Sequence, residues 1–145
     1  MYIKEIKLKF KKRKAKKPEG LKVISSRSAS QALKFLNKEV QERVVVMVLS
    51  AYNIIQGIHL VHIGSLTECL QNPADILRIV LFAGCPSFVV AHNHPSGNST
   101  PSKEDSLEYG RLSKASKLIK LKLLDYLVIG DKEYYSFTDQ AKGDL

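Results

Sequence analysis

His92 and His94 stand two residues apart at the end of the apolar run Phe88-Val89-Val90-Ala91. In extended backbone, residues at i and i+2 point to one face, about 6.6–6.8 Å apart along the strand. Two imidazoles in that relation can close on one metal ion. A loop containing Pro95, Gly97 and Pro101 follows, and Asp105 then falls in the first turn of the next helix, where it can turn back towards the pair. Two histidines and one carboxylate leave one tetrahedral position for water, which is the open site of a catalytic zinc. The same residues also have ordinary uses. Ser102-x-x-Asp105 is a capping box, the helix dipole favours an acid in the first turn, and a histidine pair at a strand end can simply be hydrogen-bonded. The combination of pair, loop and capped acid points to metal chemistry.

Side chains so arranged need a rigid scaffold. Val44–Leu49 reads as a central strand buried on both faces, and Ile54–Ile63 as its hairpin neighbour after a turn at Tyr52-Asn53. Ile6, Leu8 and Phe10 alternate with lysines as an edge strand would, and Leu21–Ile24 reads as a short strand. Ser28 offers an N-cap with Gln31 as its partner, for a helix running to about Lys38 with Ala29, Leu33 and Leu36 inward. Pro73 suits the first turn of a second helix, with Ile76, Leu77, Val80 and Leu81 buried and Gly84 at its end. A third helix starts after Ser102, with Leu107, Leu112, Ala115, Leu118 and Ile119 inward. Leu123–Ile129 and Tyr134–Phe137 complete a mixed set of strands. Strands and helices that mix without strict alternation indicate an α/β sandwich with a mixed sheet.

The chain has 145 residues and a net charge of +9. Residues 1–22 carry ten basic and two acidic residues, and residues 23–145 carry thirteen and twelve. The division is therefore a basic arm or strand over residues 1–20 and one domain over residues 21–145. The arm's lysines read first as guards of a solvated sheet edge; the alternative is weak, nonspecific nucleic-acid binding through residues 1–22. No apolar run is long enough for a membrane span, the N-terminus lacks a secretory h-region, and Cys69 and Cys85 are too few for a disulfide scaffold. A reduced, cytoplasmic protein is expected. His59 and His62, three apart on a strand, are expected to face opposite ways and to take no metal. Tyr134 and Tyr135 read as strand filling.

His-x-His, seven residues, then Ser-x-x-Asp is similar to the metal-binding signature of the JAMM (MPN+) metallopeptidases. The wider string His92-Asn93-His94-Pro95-Ser96-Gly97, followed by Pro101-Ser102 and Asp105, resembles the RadC-type branch. The resemblance extends over roughly residues 21–145, including Gly64 and the segment Leu123-Leu124-Asp125 to Gly130. His-Asn-His also spells the name of the HNH nucleases, but those spread their three motif residues along a longer hairpin-and-helix unit. The resemblance implies a three-layer-like sandwich with a mixed central β-sheet flanked by helices, the JAB/MPN, cytidine-deaminase-like fold. It also implies zinc on His92, His94 and Asp105. In the family a glutamate near the start of an early central strand completes the site. Matching Val44–Leu49 to that strand selects Glu42, with Glu39, a helical turn earlier, as its competitor. The sequence departs from the family at Pro73-Ala74-Asp75 (often Pro-Arg-Glu) and at Asp125-Tyr126 (often Asp-His). Both departures are expected to bear on substrate contacts. RadC-type proteins commonly carry a helix-hairpin-helix DNA-binding region before this domain, where this sequence has the basic arm.

The implied activity is zinc-dependent hydrolysis of a peptide or isopeptide bond in a protein substrate. Glu42 would move the proton from water to the leaving amine, and Ser102 would donate to the oxyanion. Two other readings use the same residues. One is a DNA-repair or mobile-element accessory protein that binds nucleic acid through its arm, with the zinc structural or vestigial; the other is a metal-dependent nuclease.

Overall fold

A computed structural model describes residues 22–64 and 72–145. The expected Ile6–Phe10 strand and Cys69 lie outside these residues. Three apolar runs form the middle of one sheet: β1 (Arg43–Leu49), β3 (Ser87–Asn93) and β4 (Lys122–Ile129). β1 is antiparallel to β3 and to β2 (Ile55–Ile63), and β3 is parallel to β4. Antiparallel β5 (Glu133–Ser136) and β6 (Ala141–Asp144) complete the order β2-β1-β3-β4-β5-β6. The one parallel pair needs a crossover, and α3 (Lys103–Leu118) supplies it.

Period-two alternation sends the strand side chains to two cores. Val45, Met47, Val89, Ala91 and Leu127 pack against Ala29 of α1 (Ser26–Ala32) and against Leu33 and Leu36 in and before the 3-10 turn Lys34–Lys38. Val44, Val46, Phe88, Val90 and Tyr126 meet Ile76, Leu77 and Val80 of α2 (Pro73–Ala83) and Leu112 of α3. The result is the expected three-layer α/β sandwich. Among the described residues, no helix is long and apolar enough to cross a membrane.

Local details correct several expectations. Ser25, not Ser28, caps α1; Ser28 is its capping-box partner at N3. Leu21–Ile24 contributes, within the described residues, an isolated bridge from Lys22 to Ile54 rather than a strand. Asn72 caps α2 ahead of Pro73, and Gly84 ends it at φ 63°, the left-handed conformation that glycine adopts without strain. Leu81 is exposed. On α3 the inward face is Asp105, Glu108, Leu112 and Ser116, while Leu107, Leu118 and Ile119 face out. Both β4 and β5 are tied down by buried Asp125. Its carboxylate accepts from Ser136 Oγ at 2.7 Å, from the Tyr126 amide at 2.8 Å and from the Thr138 amide at 3.2 Å. Burial nevertheless pushes its pKa up, outweighing those hydrogen bonds.

Candidate metal centre

His92 is the last residue of β3 on the face that meets α2 and α3, and its side chain is fully buried. His94 lies just beyond the strand, where its amide donates to the Ile129 carbonyl at 3.0 Å and so continues the pairing with β4. The two Nε2 atoms are 3.2 Å apart. Asp105 reaches both: Oδ1 is 3.1 Å from His92 Nε2, and Oδ2 is 3.3 Å from His94 Nε2. Among the described residues, this trio is the one group of histidines, cysteines and acids placed to hold a metal ion.

The surrounding hydrogen bonds prepare two of the three ligands, His94 and Asp105, while the buried Nδ1 of His92 has no hydrogen-bond partner among the described residues. His94 Nδ1 lies 2.8 Å from the Asn98 carbonyl. A carbonyl only accepts, so Nδ1 carries a proton, and Nε2 donates to Asp105 when the ring is protonated and offers its lone pair to a metal when it is not. The loop that brings Asn98 there depends on Gly97, at φ 81°, where a Cβ would stand 2.5 Å from Asp131 Oδ2. Ser102 caps α3: its Oγ accepts from the Asp105 amide at 3.0 Å, and its own amide donates to Asp105 Oδ2 at 2.6 Å. The capping box and the carboxylate of the trio are thus one structure. Burial pushes the Asp105 carboxyl up, but hydrogen bonds from His92 and His94 outweigh it and hold the group well below the usual carboxylate range. The Asp105 hydrogen bond raises the pKa of His94, against burial, with help from the Asn98 carbonyl and from the charges of Asp105 and Glu42.

Glu42 lies one residue before β1. The register pairs Val44 with His92. The ladder ends at that pair, and Glu42, two residues further out, lies near enough to His94 for its charge to help raise the imidazole pKa. Glu39 is engaged elsewhere, in an ion pair of 2.8 Å with Arg43.

Two further residues belong to the surroundings of His92: Tyr126, which the sequence marked only as a departure from the family pattern, and Glu108, which it did not mark. The Tyr126 ring lies 5.5 Å from the His92 ring, and its hydroxyl donates to buried Glu108 at 3.4 Å. Tyr126 is fully buried, so this departure from the family pattern alters the packing beneath the histidines rather than a substrate contact. Glu108 sits one turn after Asp105 on α3, a spacing that could have flagged it. His59 and His62 do not face opposite ways. A bulge in β2 pairs them with Val46 and Val44, which share a face.

Residues 24–143 match the family model of the RadC-like JAB domain. Among curated proteins, a UPF0758 protein of Carboxydothermus hydrogenoformans is 43% identical over 96 residues, which cover 66% of this chain and 42% of the relative. A UPF0758 protein of Staphylococcus haemolyticus is 32% identical over 128 residues, 88% of this chain and 56% of the relative. One of Streptococcus gordonii is 32% identical over 129 residues, 88% and 57%. The chain spans about half the length of the curated relatives it matches.

Proposed function

The chain belongs to the RadC-like JAB domain family, and we propose that it is a zinc-dependent hydrolase of JAMM type acting on a peptide or isopeptide bond. The observation that carries this reading is the triangle of ligand atoms, with edges of 3.1, 3.2 and 3.3 Å. Tetrahedral zinc with ligand bonds of 2.0–2.1 Å separates its ligand atoms by about 3.3–3.4 Å, so the donor set fits in chemistry and in size. His92, His94 and Asp105 would hold the ion. When bound, zinc supplies Lewis-acid chemistry, lowering the pKa of water to about 7 and polarising a carbonyl.

The chain's own residues do the rest. Glu42, whose charge reaches His94, takes the proton of the attacking water and returns it to the leaving amine, a role worth roughly 10²–10⁴ in rate. The ion pair with Arg43 disfavours Glu39 for this work. Ser102 uses an oxygen lone pair in its cap. Its hydroxyl proton remains available to donate to the oxyanion of the tetrahedral intermediate.

Proteome-wide cleavage profiling tests this reading by comparing the zinc-loaded protein with its Glu42→Gln variant. The expected result is a set of peptide or isopeptide products made by the first and missing from the second. Equal cleavage by both, or cleavage of DNA with no protein product, contradicts it.

A further inference from the structure

We infer that Asn93, the middle residue of His92-Asn93-His94, is a positioning residue that aims Glu42 at the metal site, so that one tripeptide sets both halves of the site. The inference rests on the reading of Glu42 as the proton carrier. Strand alternation sends the Asn93 side chain to the face opposite the two imidazoles. There it is 1% exposed and makes three hydrogen bonds, all to the backbone of residues 39–43. Its Oδ1 accepts from the Arg43 amide at 2.8 Å, and its Nδ2 donates to the Glu39 and Gln41 carbonyls, each at 3.1 Å.

The location matters as much as the number. The β1–β3 ladder ends at Val44 and His92. One step further, the Asn93 side chain takes over the Arg43 amide. On the other side of the segment, the Gly64 amide donates to the Glu42 carbonyl at 2.8 Å. The peptide unit before Glu42 is held through the Gln41 carbonyl. The unit after it is held at both ends, through the Glu42 carbonyl and the Arg43 amide. With both flanking planes held, φ and ψ of Glu42 are set, and so is the direction of its Cα–Cβ bond. The Glu42 side chain is only half-buried, so backbone anchoring is what aims it. The task requires one acceptor and two donors on a short planar group. Asparagine meets that requirement, whereas aspartate has no donor when ionised and serine has one.

The test uses the full chain loaded with Co²⁺ in place of zinc, because a paramagnetic ion shifts nearby nuclei according to their distance and direction from it. The variants are Asn93→Asp, which keeps the shape and the acceptor, and the smaller Asn93→Ser. Both are expected to bind the metal as the parent does and to leave the signals of β3 and α3 in place. The metal-induced shift of the Glu42 side-chain protons is expected to collapse in both. In Asn93→Ser, the Arg43 amide is expected to exchange with solvent about tenfold faster, the loss of one hydrogen bond. A merely structural asparagine would not move the Glu42 shift, and an unchanged Glu42 shift in a folded, metal-loaded Asn93→Asp protein overturns the inference. If Co²⁺ fails to bind the parent, the metal reading itself fails. The Arg43 exchange rate and the Glu42 backbone signals of the metal-free variants then decide whether Asn93 holds this segment, and parent-like values there also overturn the inference.

Discussion

Asp105 touches both imidazoles, and its contact with His94 moves two pKa values in opposite directions. His94 has its pKa raised above the ordinary 6.5, and Asp105 has its pKa lowered below 3.8. A raised histidine stabilises the fold fully below its unfolded pKa and loses that contribution as pH rises through the folded value. A lowered carboxyl contributes above its unfolded pKa and loses that contribution as pH falls through the folded value. The metal-free fold therefore gains most from this pair between pH 3.8 and 6.5. Zinc has the opposite preference, because it must displace the His94 proton. Its affinity is expected to weaken by about tenfold per pH unit below the raised His94 pKa. Chelator competition between about pH 5 and 8 checks this; a flat profile would remove His94 from the ligand set. Ser102→Ala is expected to keep the metal while costing about 1 kcal/mol of stability through the lost cap. It should also slow turnover by about 10²–10³, and Ser102→Thr should restore the cap. Chemical unfolding and product assays separate the two effects. The trio was legible in the sequence because its spacing is a local property of one strand and one helix start. The roles of Asn93 and Tyr126 were not, because their partners come from residues 39–43 and from α3, which only the folded pairing brings near.

At the scale of elements, the buried apolar runs of β1, β3 and β4 could be read directly, since both faces of these strands are covered. α3 misled because its inward face carries Asp105, Glu108 and Ser116, while Leu107 and Leu118 face out. A periodicity sought in apolar residues picks the wrong side of such a helix. α1 offered several serines as caps, and the choice of Ser25 depends on the entering backbone. β6, Ala141-Lys142-Gly143-Asp144, has little strand propensity. It forms by pairing with β5. At Gly143 a Cβ would stand 2.6 Å from the Tyr134 hydroxyl. Asp125, at the start of the buried part of β4, gives an element-scale test. Asp125→Ala strands the Ser136 hydroxyl and the Tyr126 and Thr138 amides. It is expected to cost about 2–3 kcal/mol, read from denaturant midpoints with an unchanged slope. A loss within error of zero would mean that these groups find other partners.

At the scale of the molecule, the domain with its trio is compact, and most of the net charge lies outside the described residues. Residues 1–22 hold ten of the 23 lysines and arginines. We propose that this arm gives weak, nonspecific nucleic-acid binding, steep in salt at about −0.9 in log–log slope per phosphate contacted. Deleting residues 1–17 is expected to abolish that binding and leave the metal content unchanged. If the truncated protein binds DNA as tightly as the full chain in a salt titration, the DNA surface belongs to the folded domain. Elemental analysis of the purified full chain beside His94→Ala and Glu42→Gln decides whether the trio holds zinc. About one zinc per chain is expected in the parent and in Glu42→Gln, and none in His94→Ala, because Glu42→Gln spares the ligands and His94→Ala removes one. Full zinc occupancy in a folded His94→Ala protein would contradict that assignment.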